Sequence, residues 1–487
     1  MRLLGLSILV CLCFTPAFAQ NLPWSMASFC AIVNPMQHSI AGRLPMFLWN
    51  FPLPRNDDLV KLRDTGELRR AIDQMAARGF VPTVEMGWEW TPAGAMAMAK
   101  TLQEAALPVC VLIPRADFLE GTCYRDCKVW GDGPDASQGN KARKWPCLPL
   151  ADTKAGATWL KEQLKPYADA GIKVSAVWFD DESLPHPWNG CFEAQKGSKD
   201  CSAAYAPDVL DNFESFKQYT CQLRARMFSE AAADPIHAMF PGALAGNYGD
   251  FASSQACPFV EPGGAIYPPR DIGRMDALMP SAYANTNLLP RYFKPEDIPT
   301  QEKVDRIYFP LLLRTVSTCN ANKQPGKVSI PYLSRFCPDN PDPRLHFGMS
   351  RGLYRELLRH VWMRGTDSVY AFNLGFPGSG VSAELSLESL EDQRATLDEL
   401  LAYREFVDRG KPMNFATPTS VDAPVVWSGL QLDNRCLVRA VALHSDPIEV
   451  RLTVFGNKVF GFSAPPTGVT WILRSNGSAE KIASGLM

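Results

Sequence analysis

The stretch 174-VSAVWFDDE-182 sets three consecutive acids, Asp180, Asp181 and Glu182, directly behind a run of apolar residues. The run has the β-branched and aromatic character of a buried strand, and an amphipathic segment that reads as a helix, 157-ATWLKEQLKPYADAG-171, precedes it. Carboxylates crowded together repel one another and favour the protonated form, so folding alone gives no reason to gather them there. The surrounding chain decides whether they form a solvated turn or a site.

Outward from this unit the same alternation recurs. Strand-like runs stand at 44-LPMFLWNF-51, 80-FVPTVEMGWEW-90, 107-LPVCVLIPRAD-117, 242-GALAGNYGDF-251, 276-DALMPSAYAN-285, 306-RIYFPLLLR-314 and 368-SVYAFNLGF-376. Helical patterns lie between most of them, as in 66-GELRRAIDQMAARGF-80, 92-PAGAMAMAKTLQEAAL-107 and 351-RGLYRELLRHVWMRG-365. Strands that are almost continuously apolar suit a parallel sheet covered by helices. Eight such units predict an α/β fold, a (β/α)8 TIM barrel. A doubly wound open sheet is the structural alternative, and no Gly-rich phosphate fingerprint follows the first strand to support it.

Past Gly410 the texture changes to alternating strands separated by Asp-Asn, Ser-Asp-Pro, Gly-Asn and Asn-Gly turns. These predict a small C-terminal antiparallel β-sandwich over residues 411–487 behind a barrel over residues 20–410. Residues 1–19 read as a cleavable leader: Met1-Arg2, an apolar core from Leu3 to Phe14, and Ala17-Phe18-Ala19 before Gln20. A secreted or periplasmic protein is expected, with no further segment apolar enough to enter a membrane. Of the 14 cysteines, Cys11 and Cys13 fall in the leader. The even remainder in an exported chain reads as disulfides stapling loops, with Cys110, inside an apolar run, equally readable as a buried thiol.

A net charge of -2 and a pI near 6.3 give no basic footprint, so no nucleic-acid partner is expected. Six histidines without a metal-ligand spacing and the lack of a Gly-x-Ser-x-Gly elbow argue against a metal centre, a cofactor site or a serine triad. In a barrel the carboxyl ends of the strands carry the site. They offer Trp49 and Asn50; Glu85, Trp88, Glu89 and Trp90; Arg115 and Asp117; the acids at 180–182 with Trp188 beyond; Asn247, Tyr248 and Asp250; Tyr283 and Asn285; Arg314; and Tyr370 and Asn373. Acids and amides ringed by aromatic rings suit a polysaccharide or oligosaccharide, whose C–H faces stack on rings and whose hydroxyls bond the polar groups. Strand alternation puts Asp180 and Glu182 on one face and Asp181 on the other. Two neighbouring carboxyl groups are what glycoside cleavage needs, one kept protonated as the acid and one stabilising the cationic ring.

The acids closing 174-VSAVWFDDE-182 and the tyrosine in 278-LMPSAYAN-285 resemble the pattern of retaining glycosidases that use the substrate's own acetamido group. Family 18 chitinases, hyaluronidases and β-hexosaminidases, all barrels, share it. The resemblance implies that Asp180 orients the acetamido group (Asp181 if the pair is adjacent), Glu182 is the acid/base, and the Tyr283 hydroxyl assists the acetamido carbonyl. The string of spaced aspartates that precedes the glutamate in chitinases is replaced here by VSAVWF. α-Galactosidase-like barrels, with an Asp nucleophile at the fourth strand and a C-terminal sandwich, are a partial second resemblance. A non-catalytic carbohydrate-binding barrel is the reading from another functional class.

Overall fold

Leu68, Ala71, Ile72 and Met75 recur at helical spacing, and in the helix Glu67–Ala76 they form one buried stripe laid against strands. The next helix, Pro92–Glu104, starts where its sequence says it should: Pro92 occupies the first turn and the Thr91 hydroxyl accepts the Gly94 N–H at 3.1 Å. The structure, a computed structural model, describes residues 25–49, 58–86, 91–113, 149, 152–180, 189–197, 199–248, 272–283, 300–336, 348–372, 382–416 and 424–482.

Short strands alternate with these helices: β1 (Met46–Leu48), β2 (Phe80–Pro82), β3 (Val84–Glu85), β4 (Val109–Ile113), β5 (Val174–Phe179), β6 (Leu244–Tyr248), β7 (Ala277–Met279), β8 (Ser281–Tyr283), β9 (Val328–Ser329), β10 (Tyr332–Ser334) and β11 (Tyr370–Ala371). All pair in parallel, in the orders β2-β1-β11-β10-β8 and β3-β4-β5-β6-β7-β9. The two sheets meet in interrupted runs. β2 bonds β1 and β3 bonds β4, on either side of Thr83; β7 and β8 flank Pro280; β9 and β10 flank Ile330 and Pro331. Proline has no N–H to give a ladder, so the chain changes partner there.

The run 306-RIYFPLLLR-314, expected as the seventh strand, lies inside the helix Gln301–Ala321. Its residues are buried almost all round, and a fully buried helix shows no more periodicity than a buried strand. The deciding signal stands just before it: the Thr300 hydroxyl accepts the Lys303 N–H at 3.3 Å and starts the helix. Arg314 is therefore a helical residue, and the strand that follows is 327-KVSIPYLS-334.

The C-terminal strands are β12 (Lys411–Pro412), β13 (Val425–Leu432), β14 (Arg435–Ala442), β15 (Ile448–Val454), β16 (Lys458–Ala464), β17 (Val469–Arg474) and β18 (Ala479–Lys481). One antiparallel sheet runs β12-β13-β14-β17-β18, and β15-β16 form a separate hairpin. Val438 and Ala440 of the sheet share one apolar cluster with Val450, Leu452, Phe460 and Phe462 of the hairpin, an arrangement that fits a β-sandwich. The β13–β14 turn forces Asp433 to a φ of 52°, a conformation that Asp tolerates better than most residues.

This sheet is tied to the helix Arg351–Met363 by buried polar groups. Glu356 accepts Arg439 Nε at 2.9 Å. Arg364, fully buried, donates to Ser428 Oγ at 2.8 Å, Ser317 Oγ at 2.7 Å and the Trp427 carbonyl at 3.1 Å. Burial pulls its guanidinium down to about 9, still protonated at neutral pH. Among the described residues no carboxylate pairs with it.

The five cysteines whose state is described, Cys30, Cys110, Cys221, Cys319 and Cys436, are free thiols, which corrects the expectation of disulfides for them. Four are buried, in helices or strands where an apolar thiol packs as a small hydrophobe. Cys123, Cys127, Cys147, Cys257 and Cys337, the side chains of Cys191 and Cys201, and the leader lie outside the described residues.

His360 gives the domain contact a pH dependence. Its Nδ1 meets Ser428 Oγ at 2.7 Å, and burial, aided by Arg364, Arg439 and Arg359, holds its pKa well below the ordinary value. Below pH about 6.5 the unfolded chain binds a proton that the folded chain refuses, so stability present above that pH is lost as pH falls. Urea unfolding between pH 7 and 5 is expected to show this residue contributing a decline of up to about 1.4 kcal/mol per pH unit. The His360→Gln variant should lose that part of the slope, and parallel profiles for the two proteins would refute the assignment.

Candidate functional site

Side-chain alternation divides the parallel strands into two faces. Val109, Val111 and Ile113 of β4 and Val177 and Phe179 of β5 join the core shared with the helices. Cys110, Leu112, Ala176 and Trp178 point the other way and form a second apolar cluster with Phe47, Met279, Tyr332 and Tyr370. On this inner face Gly246 makes room for the Trp178 ring, since a Cβ at 246 would lie 2.6 Å from Met279 Sδ and 3.0 Å from Trp178.

An aromatic layer stands above this cluster, at the carboxyl ends of the strands. Phe372 lies 4.8 Å from Trp49 and 4.8 Å from Tyr283, centroid to centroid, and Tyr248 lies 4.9 Å from Tyr332. The hydroxyls of Tyr248 and Tyr283 are hydrogen-bonded to each other. One layer down, Tyr332 and Tyr370 stack at 4.5 Å. The Thr83 hydroxyl donates to the Leu48 carbonyl at 3.0 Å, so the Tyr370 hydroxyl, 2.8 Å away, is the donor to Thr83.

Two carboxylates belong to the same face. Glu85, 3 % exposed, lies in register with Leu112. Asp180 follows β5 two residues after Trp178, and its N–H donates to the Ile113 carbonyl at 3.0 Å. Both bear on Tyr370. Burial pushes that phenol well above its ordinary range, and the charges of Glu85 and Asp180 push it further. An anion on Tyr370 is thus excluded, and the phenol serves as a fixed donor.

The structure brings together Trp49, Glu85, Asp180, Tyr248 and Tyr283 of the residues singled out from sequence. Tyr370 lies beneath them, fully buried. Asn247 is in register with Phe179 on the helix-facing side, where its amide donates to the Tyr248 carbonyl at 2.9 Å. Asn50, Trp88, Glu89, Arg115, Asp181, Glu182, Trp188 and Asn373 lie outside the described residues. Sequence reasoning missed Phe372, Tyr332 and Thr83. The period-two pattern of 368-SVYAFNLGF-376 held the signal for Phe372, two residues beyond Tyr370; Tyr332 went unread because the seventh strand was assigned elsewhere. Among the described residues no cluster of histidine, cysteine or carboxylate has the makings of a metal site.

No protein-family model matches the chain, and no curated protein is similar to it. It is similar to several solved structures. The GH36 α-galactosidase AgaA of Geobacillus stearothermophilus is 12% identical with a TM-score of 0.45, over 92% of this chain and 57% of that one. A debranching enzyme from Nostoc punctiforme is 10% identical with a TM-score of 0.46, over 91% of this chain and 100% of that one. A glycoside hydrolase family 5 protein from Bacteroides vulgatus is 10% identical with a TM-score of 0.40, over 95% and 92%. The chain spans a little over half the length of the α-galactosidase structures. The chemistry of the site rests on this chain's own residues.

Replacing Thr83 by Val would leave the buried Tyr370 hydroxyl without its partner, while the Leu48 carbonyl keeps the backbone N–H of residue 83 at 3.0 Å. A loss of about 1–3 kcal/mol in urea unfolding is expected for Thr83→Val. Unchanged stability would show that the bond contributes nothing to the layer under the site.

Proposed function

We propose that the chain is a glycoside hydrolase acting on an oligosaccharide or polysaccharide at the carboxyl ends of its parallel strands. The observation that carries this reading is the placement of Asp180 and Glu85 on the inner face beside an aromatic layer of Trp49, Tyr248, Tyr283 and Phe372. Rings offer faces to sugar C–H groups, and carboxyl groups bond hydroxyls, donate a proton to a leaving oxygen or stabilise an oxocarbenium ion. Followed through the interrupted runs, the pairings return from β11 to β1, which supports a (β/α)8 barrel with its mouth at this layer. Within that reading residues 20–410 form the catalytic barrel, residues 411–487 a sandwich beside it, and residues 1–19 an export leader.

In the mechanism we infer, Glu182 is the acid/base, the role its place in the sequence pattern suggests. Asp180 orients the reacting group or stabilises the developing positive charge. The Tyr248 and Tyr283 hydroxyls, hydrogen-bonded to each other, stand in the same layer of the site. An N-acetylhexosamine substrate fits best, the Tyr283 hydroxyl meeting its acetamido carbonyl. No residue of this mechanism calls for a metal or a cofactor.

Reducing-sugar release by the mature protein from polysaccharides and aryl glycosides tests the reading. Asp180→Asn and Glu182→Gln should each lower turnover about 10²–10⁴-fold at unchanged melting temperature. Binding without release by the wild type would favour a non-catalytic carbohydrate-binding barrel. Release that neither substitution alters would place the chemistry elsewhere.

A further inference from the structure

Away from the strand ends, a cleft of about 550 Å³ opens between the helices Gln301–Ala321 and Arg351–Met363 and the β-sandwich. Three carboxylates, Glu302, Asp305 and Glu356, line it together with three guanidiniums, Arg306, Arg355 and Arg359. The charges balance, and the deepest are already satisfied: Glu356 and Arg359 bond each other at 2.5 Å, and Arg359 also holds Glu399 at 2.7 Å. Balanced charge gives the cleft no reason to select an ion.

The shallower groups keep unused capacity. Asp305 accepts the Ser350 N–H at 2.7 Å, the Gln301 amide at 2.9 Å and the Ser350 side chain, which leaves one of a carboxylate's roughly four lone-pair sites among the described residues. Burial raises the Asp305 pKa, which marks this carboxyl as drawn back from water. Arg306 Nη2 is shared between Glu302 at 3.0 Å and His444 Nδ1 at 3.3 Å, and its Nε is buried without a partner among the described residues. Arg355 commits Nε to Asp392 at 2.7 Å and leaves its two terminal nitrogens for another acceptor. Phe309, Leu353, Leu443 and Pro466 supply an apolar wall.

Fixed donors and acceptors at neutral net charge beside an apolar strip match a molecule with many hydroxyls and C–H faces and no charge of its own. The volume lies within the range of small-molecule sites. We propose that this interdomain cleft is a second saccharide-binding site, which holds a neutral oligosaccharide away from the strand ends. Asp305 accepts its hydroxyls, and Arg355 donates to its oxygens. The ligand class rests on the glycosidase reading; the cleft itself does not.

Gly352 lines the cleft, and a Cβ there would meet nothing within 4 Å, so Gly352→Trp fills the space without touching the ion pairs. Calorimetric titration of the mature protein, in a Glu182→Gln background, would use maltohexaose, cellohexaose and N-acetylchitohexaose as probes. At least one should show a second class of sites that Gly352→Trp abolishes. Arg355→Ala should weaken that class about tenfold or more. Gly352→Trp in the wild-type background should leave turnover of a short aryl glycoside unchanged. A single class of sites for every probe, or a second class indifferent to both cleft substitutions, would overturn the proposal. Turnover without cleft binding sinks the cleft alone; cleft binding without turnover of any glycoside sinks the hydrolase reading alone. Melting temperatures identify a misfolded variant, and the other variant then decides.

Discussion

Trp178 is fully buried on the inner face of the parallel strands, and the rest of the site is stacked on it. Its indole fits because Gly246 on the next strand presents no side chain, and Phe47 meets it edge-on at 5.8 Å. The interior is therefore a filled core with no channel at this level, and the layers above inherit its rigidity. Tyr332 and Tyr370 stack on each other in the same apolar cluster, the Trp49–Phe372–Tyr283 group packs against them, and Asp180 follows two residues after Trp178. The acid is placed by the alternation of β5, and β5 is placed by the indole.

Much of this was legible in the sequence. The strand ending in Asp180, the strands ending near Trp49, Glu85, Tyr248 and Tyr283, and the change of texture after Gly410 follow from runs of apolar residues punctuated by turn formers. What escaped has physical causes. Arg306–Arg314 is apolar all round, so only the capping threonine outside the run separates helix from strand. Prolines 280 and 331 interrupt strands that the apolar pattern reads as continuous, and they also set where one sheet passes its pairing to the other. The inner or outer assignment of Asn247 and Tyr248 required the register of β6 against β5, which a single strand does not contain. The cysteines misled because an even count says nothing about which thiols approach each other; Cys110 and Cys319 are instead enclosed by apolar neighbours.

The barrel-like layer and the sandwich share buried polar contacts in which the loss of a single partner is costly. Glu356 is held by arginines from both sides, Arg359 from its own helix and Arg439 from β14. Removing either arginine leaves a buried carboxylate half paired, a defect worth several kcal/mol in other proteins. The cleft lies on the solvent side of this cluster, so its floor is fixed by the same ion pairs that join the two parts.

The buried arginine at 364 also makes one end of its helix depend on residues far along the chain. The helix Arg351–Met363 leaves the ribosome more than sixty residues ahead of Ser428, which accepts from Arg364 Nε. Without Trp427 and Ser428, the guanidinium would keep Ser317 as its single partner from this set, and burying it would cost far more. The polar cover of this helix end is completed by β13, so the part after Gly410 serves as a structural lid for the helices before it.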